Sequence, residues 1–345
     1  MFRFSRYAMA HTLNSVVLAA LAGTAAAETP EEFYKGRRIE VLVGSDVGDG
    51  YDSYARLLTR HLGRHIPGEP TFIVKNMPAG GGRPALNHIY SVMARDGSAF
   101  GASLRNPPFD PLYGVEATRI DATKLGWIGS LNSEVSLCVA WHDKGVASVE
   151  DTRKREVLMG SNGPSVSDSI HARLLNRVAG TKLKVVLGYP SSNAVHIALE
   201  RGEVEGRCGL TYDSLMARYA HWVTEKKINI FAQFAAEKHP DLPNVPFIMD
   251  LTRTEEDRQI ADLLLGPNEM GRPYFTPPGV PADRLDVLRR AFDAAATDPQ
   301  LLAEARKQSM GIRPMKGEAI EAMVKRLYAT PKAVVEIAKK IVEPD

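Results

Sequence analysis

Four times in this chain a short apolar run ends in a joint rich in Gly, Ser, Pro or Asp that opens directly onto a helical pattern. The run "RIEVLVG" is followed by "SDVGDGYDS" (Ser45–Ser53), and "TFIVKN" by "MPAGGGRP" (Met77–Pro84). Further on, "REVLMG" leads into "SNGPSVSDS" (Ser161–Ser169), and "KVVLGY" into "PSSNA" (Pro190–Ala194). Strands that alternate with helices predict an α/β chain with largely parallel sheets. In open sheets of this kind the joints gather at the carboxyl ends of the strands, where ligands bind.

The chemistry of the joints suits an anion. A helix start carries unpaired N–H groups and the positive end of the helix dipole. Glycine lets a ligand approach that backbone closely, and serine adds a hydroxyl. A carboxylate or phosphate fits such a seat. Gly, Ser and Pro are also ordinary turn residues, so one joint alone carries little weight; the argument rests on four.

At 345 residues the chain has room for two domains. With 44% hydrophobic and 24% charged residues it reads as globular, and a formal charge of +2 without any basic block gives no reason to expect nucleic acid. The N-terminus departs from this average. Arg3 and Arg6 precede an apolar run near Val16–Leu21 and then Ala25-Ala26-Ala27, the pattern of a secretory signal peptide. We expect residues 1–27 to be removed after Ala27. No cysteine stands at that junction to take a lipid. Cys138 and Cys208 are the two cysteines of the chain; one disulfide and two buried thiols are both compatible with their spacing.

Catalytic signatures are lacking. There is no GxxxxGK[ST], "GSDVGDG" does not fit GxGxxG, and neither G-x-S-x-G nor H-E-x-x-H occurs. "DVGDGYD" lacks the spacing of a calcium loop. His61 and His65 lie four apart on a predicted helix with no third ligand nearby, so no metal or other cofactor is expected. Arg105 ("ASLRNPP") and Arg207 ("EGRCGL") are either clamps for a ligand carboxylate or structural ion pairs. Tyr51, Tyr189 and Tyr212 either wall a pocket or pack in the core.

At its joints the chain resembles the substrate-binding proteins of tripartite tricarboxylate transporters, the Bug family. The resemblance is carried by Gly48–Gly82, by Asp96-Gly97, by "GSNGPSVSDS" (Gly160–Ser169), by "GYPSSNAVHIALERGEVEG" (Gly188–Gly206) and by "PYFTPPGVPADRLDVLRRAFDAA" (Pro273–Ala295). It implies a two-lobed Venus-flytrap fold, with lobe one from residues 28–133 and 236–345 and lobe two from 134–235. It also implies a monomeric, non-catalytic periplasmic receptor that delivers a small organic carboxylate to integral-membrane permease subunits. The implied ligand-binding set is Gly48, Asp49, Gly50, Tyr51, Asp52, Ala79, Gly80 and Gly81 on lobe one. On lobe two it is Ser161, Ser165, Ser167, Asp168, Tyr189 and Ser191. Three joints depart from the family pattern. Asp49 stands where Gly or Ala is usual, Pro-Ala-Gly-Gly-Gly replaces Pro-Gly-Ala-Gly-Gly, and "GYPSSNA" lacks the usual glycines. A sensor partner using the same cleft, or a secreted hydrolase of the same shape, are the alternative readings.

Overall fold

The computed structural model describes residues 28–78, 80–164, 166–189, 192–235 and 237–342; the expected signal peptide lies outside them. Among the described residues, eleven strands form two sheets. The first contains β1 (Arg38–Val43), β2 (Thr71–Asn76), β3 (Ala99–Ala102), β4 (Gly126–Ser130), β10 (Pro273–Thr276) and β11 (Met315–Lys316), in the order β11-β4-β10-β3-β1-β2. The second contains β5 (Ser136–Trp141), β6 (Val157–Gly160), β7 (Leu183–Val186), β8 (Gly206–Thr211) and β9 (Ile228–Phe234), in the order β7-β6-β8-β5-β9.

The expected two-lobed α/β architecture with helix-flanked sheets is present, but the sheets are mixed rather than largely parallel. Pairs linked by a strand–helix–strand unit are parallel, as in β1 with β2 and β6 with β7. Strands around the crossings between sheets run the other way: β10 is antiparallel to β3 and β4, and β5 to β8 and β9. A chain entering from the other lobe does not need the helical return that keeps neighbours parallel.

Helical periodicity accounts for the local packing. Helix Gly50–Leu62 buries Tyr54, Leu57, Leu58 and Leu62 on one face against the first sheet's core. In the last third, helix Glu255–Glu269 carries Pro267 near its end. Helices Gly317–Tyr328 and Lys332–Val342 follow one another, separated around Pro331. Two of these helices straddle the molecule. Ile260, Leu265, Val334 and Ile341 belong to the second sheet's core, whereas Leu263, Val335 and Ala338 pack with the first sheet.

Cys138 and Cys208 are bonded between neighbouring strands β5 and β8, closing 70 residues of chain. Both are fully buried. The native unreduced protein is therefore expected to have a mass two hydrogens short of its thiol form. The double variant Cys138→Ala/Cys208→Ala is expected to lose about 2–4 kcal/mol of stability in urea unfolding. Unchanged stability would show that the bond contributes nothing to the native state.

Candidate functional site

The joint after β1 is held by its own acids. Asp49 caps helix Gly50–Leu62, its Oδ1 accepting from the Asp52 amide (3.0 Å) and from Ser45 Oγ (2.7 Å). Asp52 is buried and accepts from the Gly48 amide (2.8 Å), Arg56 Nε (2.9 Å) and Asn76 Nδ2 (2.9 Å). Burial alone would raise its carboxyl; Arg56, the Gly48 amide and Asn76 hold it below the usual carboxylate range. The side chains of Asp49 and Asp52, expected among the ligand contacts, are thus internal to the loop, and the Gly48 amide is already engaged. Gly50 and Tyr51 stand in the first turn of the helix, where backbone N–H groups lack intrahelical acceptors. The carboxylate of Asp49 does not point freely at this turn, because the cap ties it back.

The joint after β2 explains its triple glycine. Gly80, Gly81 and Gly82 have φ of 54°, 65° and 81°, three consecutive left-handed residues that only glycine adopts without strain. Gly82 is also close-packed: a Cβ there would lie 3.1 Å from Gly44 O and 3.1 Å from Leu104. Gly80 and Gly81 are exposed at the entrance to helix Arg83–Ser91. The next residue, Arg83, is fixed by its Nε on Asp110 Oδ2 (2.6 Å), and Thr118 bonds the same oxygen.

On the second lobe, Ser161 is fully buried and closes its own loop. Its Oγ lies 2.8 Å from Ser169 Oγ and donates to Gly163 O (2.9 Å). Ser167 and Asp168 begin helix Ser167–Ala179. Asp168 is buried and paired with Arg207 (Oδ1 to Nη2, 2.8 Å), and Arg207 also meets His196 Nε2. Arg207 therefore takes the structural alternative, an internal ion pair, and is not a free clamp. Tyr189 is half-buried beside the exposed Leu187 and Gly188. Tyr212 turns to Asp241 (3.0 Å) and packs on His239, away from Ser167's cavity lining. Ala79, Ser165 and Ser191 lie outside the described residues.

Where the chain first crosses between sheets, Arg105 and Tyr51 join a buried polar hub. Glu134 pairs with Arg105 Nη1 through one oxygen and with Arg272 Nη1 through the other. Arg105 Nε donates to Asn268 Oδ1 (3.1 Å), and its backbone N–H donates to Tyr51 Oη (3.3 Å). The Arg272 guanidinium sits 4.6 Å from the Tyr51 ring centroid. Arg105 is thus committed to holding the crossing. Beside this hub lies a cavity of ≈ 140 Å³ lined from both lobes, by Arg83, Phe109 and Tyr113 on one side and by Ser167, Ile170 and His171 on the other. Helix Glu255–Glu269 adds Leu264, Pro267 and Asn268.

Glu134, Asn268, Arg272 and His171 were not expected from the sequence. Only His171 left a trace there, as a polar residue on the buried face of an amphipathic helix that also holds Leu174, Leu175 and Val178. His61 bonds Glu304 on helix Pro299–Lys307, and His65 bonds Asp298, the residue that caps that helix. The described residues contain no cluster of three or more metal-ligating side chains.

No protein-family model and no curated protein matches the chain. Solved structures do. A TctC solute-binding protein from Polaromonas is 19% identical, with a TM-score of 0.69 over 88% of this chain and 99% of its own. MatC from Rhodopseudomonas palustris, solved with bound malate, is 17% identical, with a TM-score of 0.57 over 89% and 99%. An R. palustris protein solved with adipate is 18% identical, with a TM-score of 0.58 over 89% and 97%. This chain, with its two mixed sheets and a cavity lined from both lobes, has the fold of the TctC- and Bug-type solute-binding proteins.

Proposed function

We propose that the protein is a periplasmic receptor of the tripartite tricarboxylate transporter type. In this reading it captures a small organic carboxylate between its lobes and delivers it to membrane permease subunits. The observation that carries the reading is a cavity lined from both lobes, by Arg83 directly after the glycine turn and by Ser167 at a helix start. Lobe one offers the exposed Gly80-Gly81 backbone and the first turn at Gly50-Tyr51. Lobe two offers the start of helix Ser167–Ala179, with Ser167 lining the shared cavity. Backbone N–H groups at helix starts hold carboxylates without a cationic clamp, which agrees with Arg105 and Arg207 being engaged elsewhere. Malate and adipate in two proteins of the same fold support the ligand class. The remaining ligand contacts in the proposal are Ala79, Ser165, Tyr189 and Ser191.

The lobes are taken as 28–133 with 236–345, and 134–235, with helices Glu255–Glu269 and Lys332–Val342 bridging them. Closure follows because ligand adds contacts from the second lobe and so favours the closed state. Export rests on the N-terminal pattern; no helix among the described residues is long and apolar enough to cross a membrane. The protein is read as a monomer with no catalytic role.

Native mass spectrometry of the purified mature protein, before and after unfolding and refolding, tests this reading. A small acidic adduct that leaves on unfolding is the expected result. No adduct, together with no thermal shift from a panel of acids at about 100 times their assumed Kd, where roughly 2.7 kcal/mol is due, would reject it. Turnover of the bound acid would replace it with a hydrolase.

A further inference from the structure

The wall of the inter-lobe cavity is part apolar and part polar, and its polar groups are unequally engaged. Arg83 and Asp110 satisfy each other. The guanidinium bonds both Asp110 oxygens and Gly80 O, and Thr118 donates to Asp110 as well. That pair adds no net charge. Three other lining groups are unused. Lys339, exposed on helix Lys332–Val342, has no hydrogen-bond or ion-pair partner among the described residues. Its ammonium nevertheless lies against the wall: a Cβ on Gly114, between the lining residues Tyr113 and Val115, would come within 3.5 Å of Nζ. Asn268 is 4% exposed, and Arg105 Nε donates to its Oδ1 (3.1 Å). An arginine can only donate, so the amide is fixed with Nδ2 as the remaining donor, and Nδ2 has no acceptor among the described residues. His171 is 2% exposed, and its Nδ1 is likewise without a partner. Burial, with Arg105 nearby, pushes its imidazole down to about 3, so at neutral pH it is an uncharged ring with one N–H to give. The unused groups therefore sum to hydrogen-bond donors and one uncompensated positive charge. A carboxylate oxygen answers both, as an acceptor and as an anion.

We infer that Lys339 and Asn268 hold a second acidic group of the ligand in this cavity, while its first carboxylate meets the helix starts. Both residues stand on the two helices that bridge the lobes, away from the four joints, so they meet a different part of the ligand. The inference rests on the receptor reading above and narrows it to acids with two anionic ends. Lys339 and Asn268 are then specificity-determining residues, the first through its charge and the second through the fixed direction of its amide.

Calorimetric titration of the mature, refolded protein at fixed ionic strength tests this, with succinate, glutarate and adipate set against butyrate, valerate and hexanoate. The variants are Lys339→Gln, Asn268→Asp and, as a control for lost surface charge, Lys340→Gln, whose residue is exposed and absent from the cavity wall. Asn268→Asp keeps an oxygen for Arg105 but replaces the free donor with a carboxylate oxygen. Each variant is first checked for a parent-like melting transition; Lys339→Gln, at an exposed position, keeps the test open should Asn268→Asp fail to fold. At least one diacid is expected to bind about tenfold or more tighter than the monoacid of equal length. It is expected to lose about tenfold or more in Lys339→Gln and in Asn268→Asp, and to change by less than about twofold in Lys340→Gln, because exposed charges are screened. Monoacids that bind as tightly as the diacids would overturn the narrowed ligand class and leave the carboxylate receptor standing. A preferred diacid that binds Lys339→Gln as well as the parent, or that weakens equally in Lys340→Gln, would overturn the assignment of this subsite. Full affinity in folded Asn268→Asp would remove Asn268 from it. No binding of any acid, these six or a wider panel, would reject the receptor reading and this inference with it.

Discussion

Glu134→Gln is expected to lower the unfolding free energy by about 3–5 kcal/mol, the cost of removing one partner from a buried ion pair. Glu134 is 6% exposed and stands on the crossing between sheets, where its two oxygens meet Arg105 and Arg272. Those two side chains are only 13% and 16% exposed. Neutralising Glu134 leaves two guanidiniums buried side by side. The surface pair Lys184–Glu156, about 60% exposed on both sides, supplies the contrast: Glu156→Gln is expected to cost under about 1 kcal/mol. The pH dependence follows the same geometry. Burial would raise the Glu134 carboxyl, but Arg105 and Arg272 overcome it and hold it below its ordinary 4.5. A depressed folded pKa gives stability that is present above about pH 4.5 and lost as pH falls through the folded value. The gap between parent and Glu134→Gln should therefore narrow on the acid side. Urea unfolding at pH 7 and at pH 3–4 measures both. A loss below about 1 kcal/mol at pH 7 would mean that the crossing is held by something other than this hub.

What sequence reveals and what it hides divides along one physical line. Periodicity and turn chemistry are local, and they were readable. The face Tyr54, Leu57, Leu58 and Leu62 is buried as its spacing requires, and the glycines at 80–82 occupy backbone conformations that exclude other residues. Partner choice is not local. Nothing near Glu134 announces that residues 105 and 272 will enclose it, and nothing in "EGRCGL" says that Arg207 will reach back to Asp168. Periodicity tells which face of a helix is covered, but not by what; hence the two straddling helices and the antiparallel halves of the sheets were unannounced. The same limit applied to the candidate site. The Gly- and Ser-rich joints were legible as helix starts. The cavity to which Phe109, Ile170 and Leu264 contribute was not, because those residues look like ordinary core until three distant segments meet.

Gly80→Asp is expected to weaken ligand binding at least 100-fold, while Gly80→Asn weakens it less than about tenfold. The two side chains are nearly isosteric, so both impose the same backbone cost. At φ 54° that cost is about 1–2 kcal/mol for an L residue, and short polar side chains tolerate it best. Both also crowd Pro84 equally, since a Cβ at Gly80 lies 3.2 Å from its Cδ. What separates them is charge. A carboxylate set at an exposed anion seat opposes the ligand's own carboxylate, and like charges brought together in an interface cost several kcal/mol, where each 1.4 kcal/mol is tenfold in affinity. The ordering distinguishes three cases when the variants are titrated with whichever of benzoate, adipate or citrate binds the parent tightest. Asp far weaker than Asn places the anion at this turn. Equal weakening by both makes the triple glycine a matter of loop shape, with the carboxylate seated elsewhere. Full affinity in both removes Gly80 from the site and leaves the first turn at Gly50-Tyr51 as the exposed helix start on the first lobe to test next.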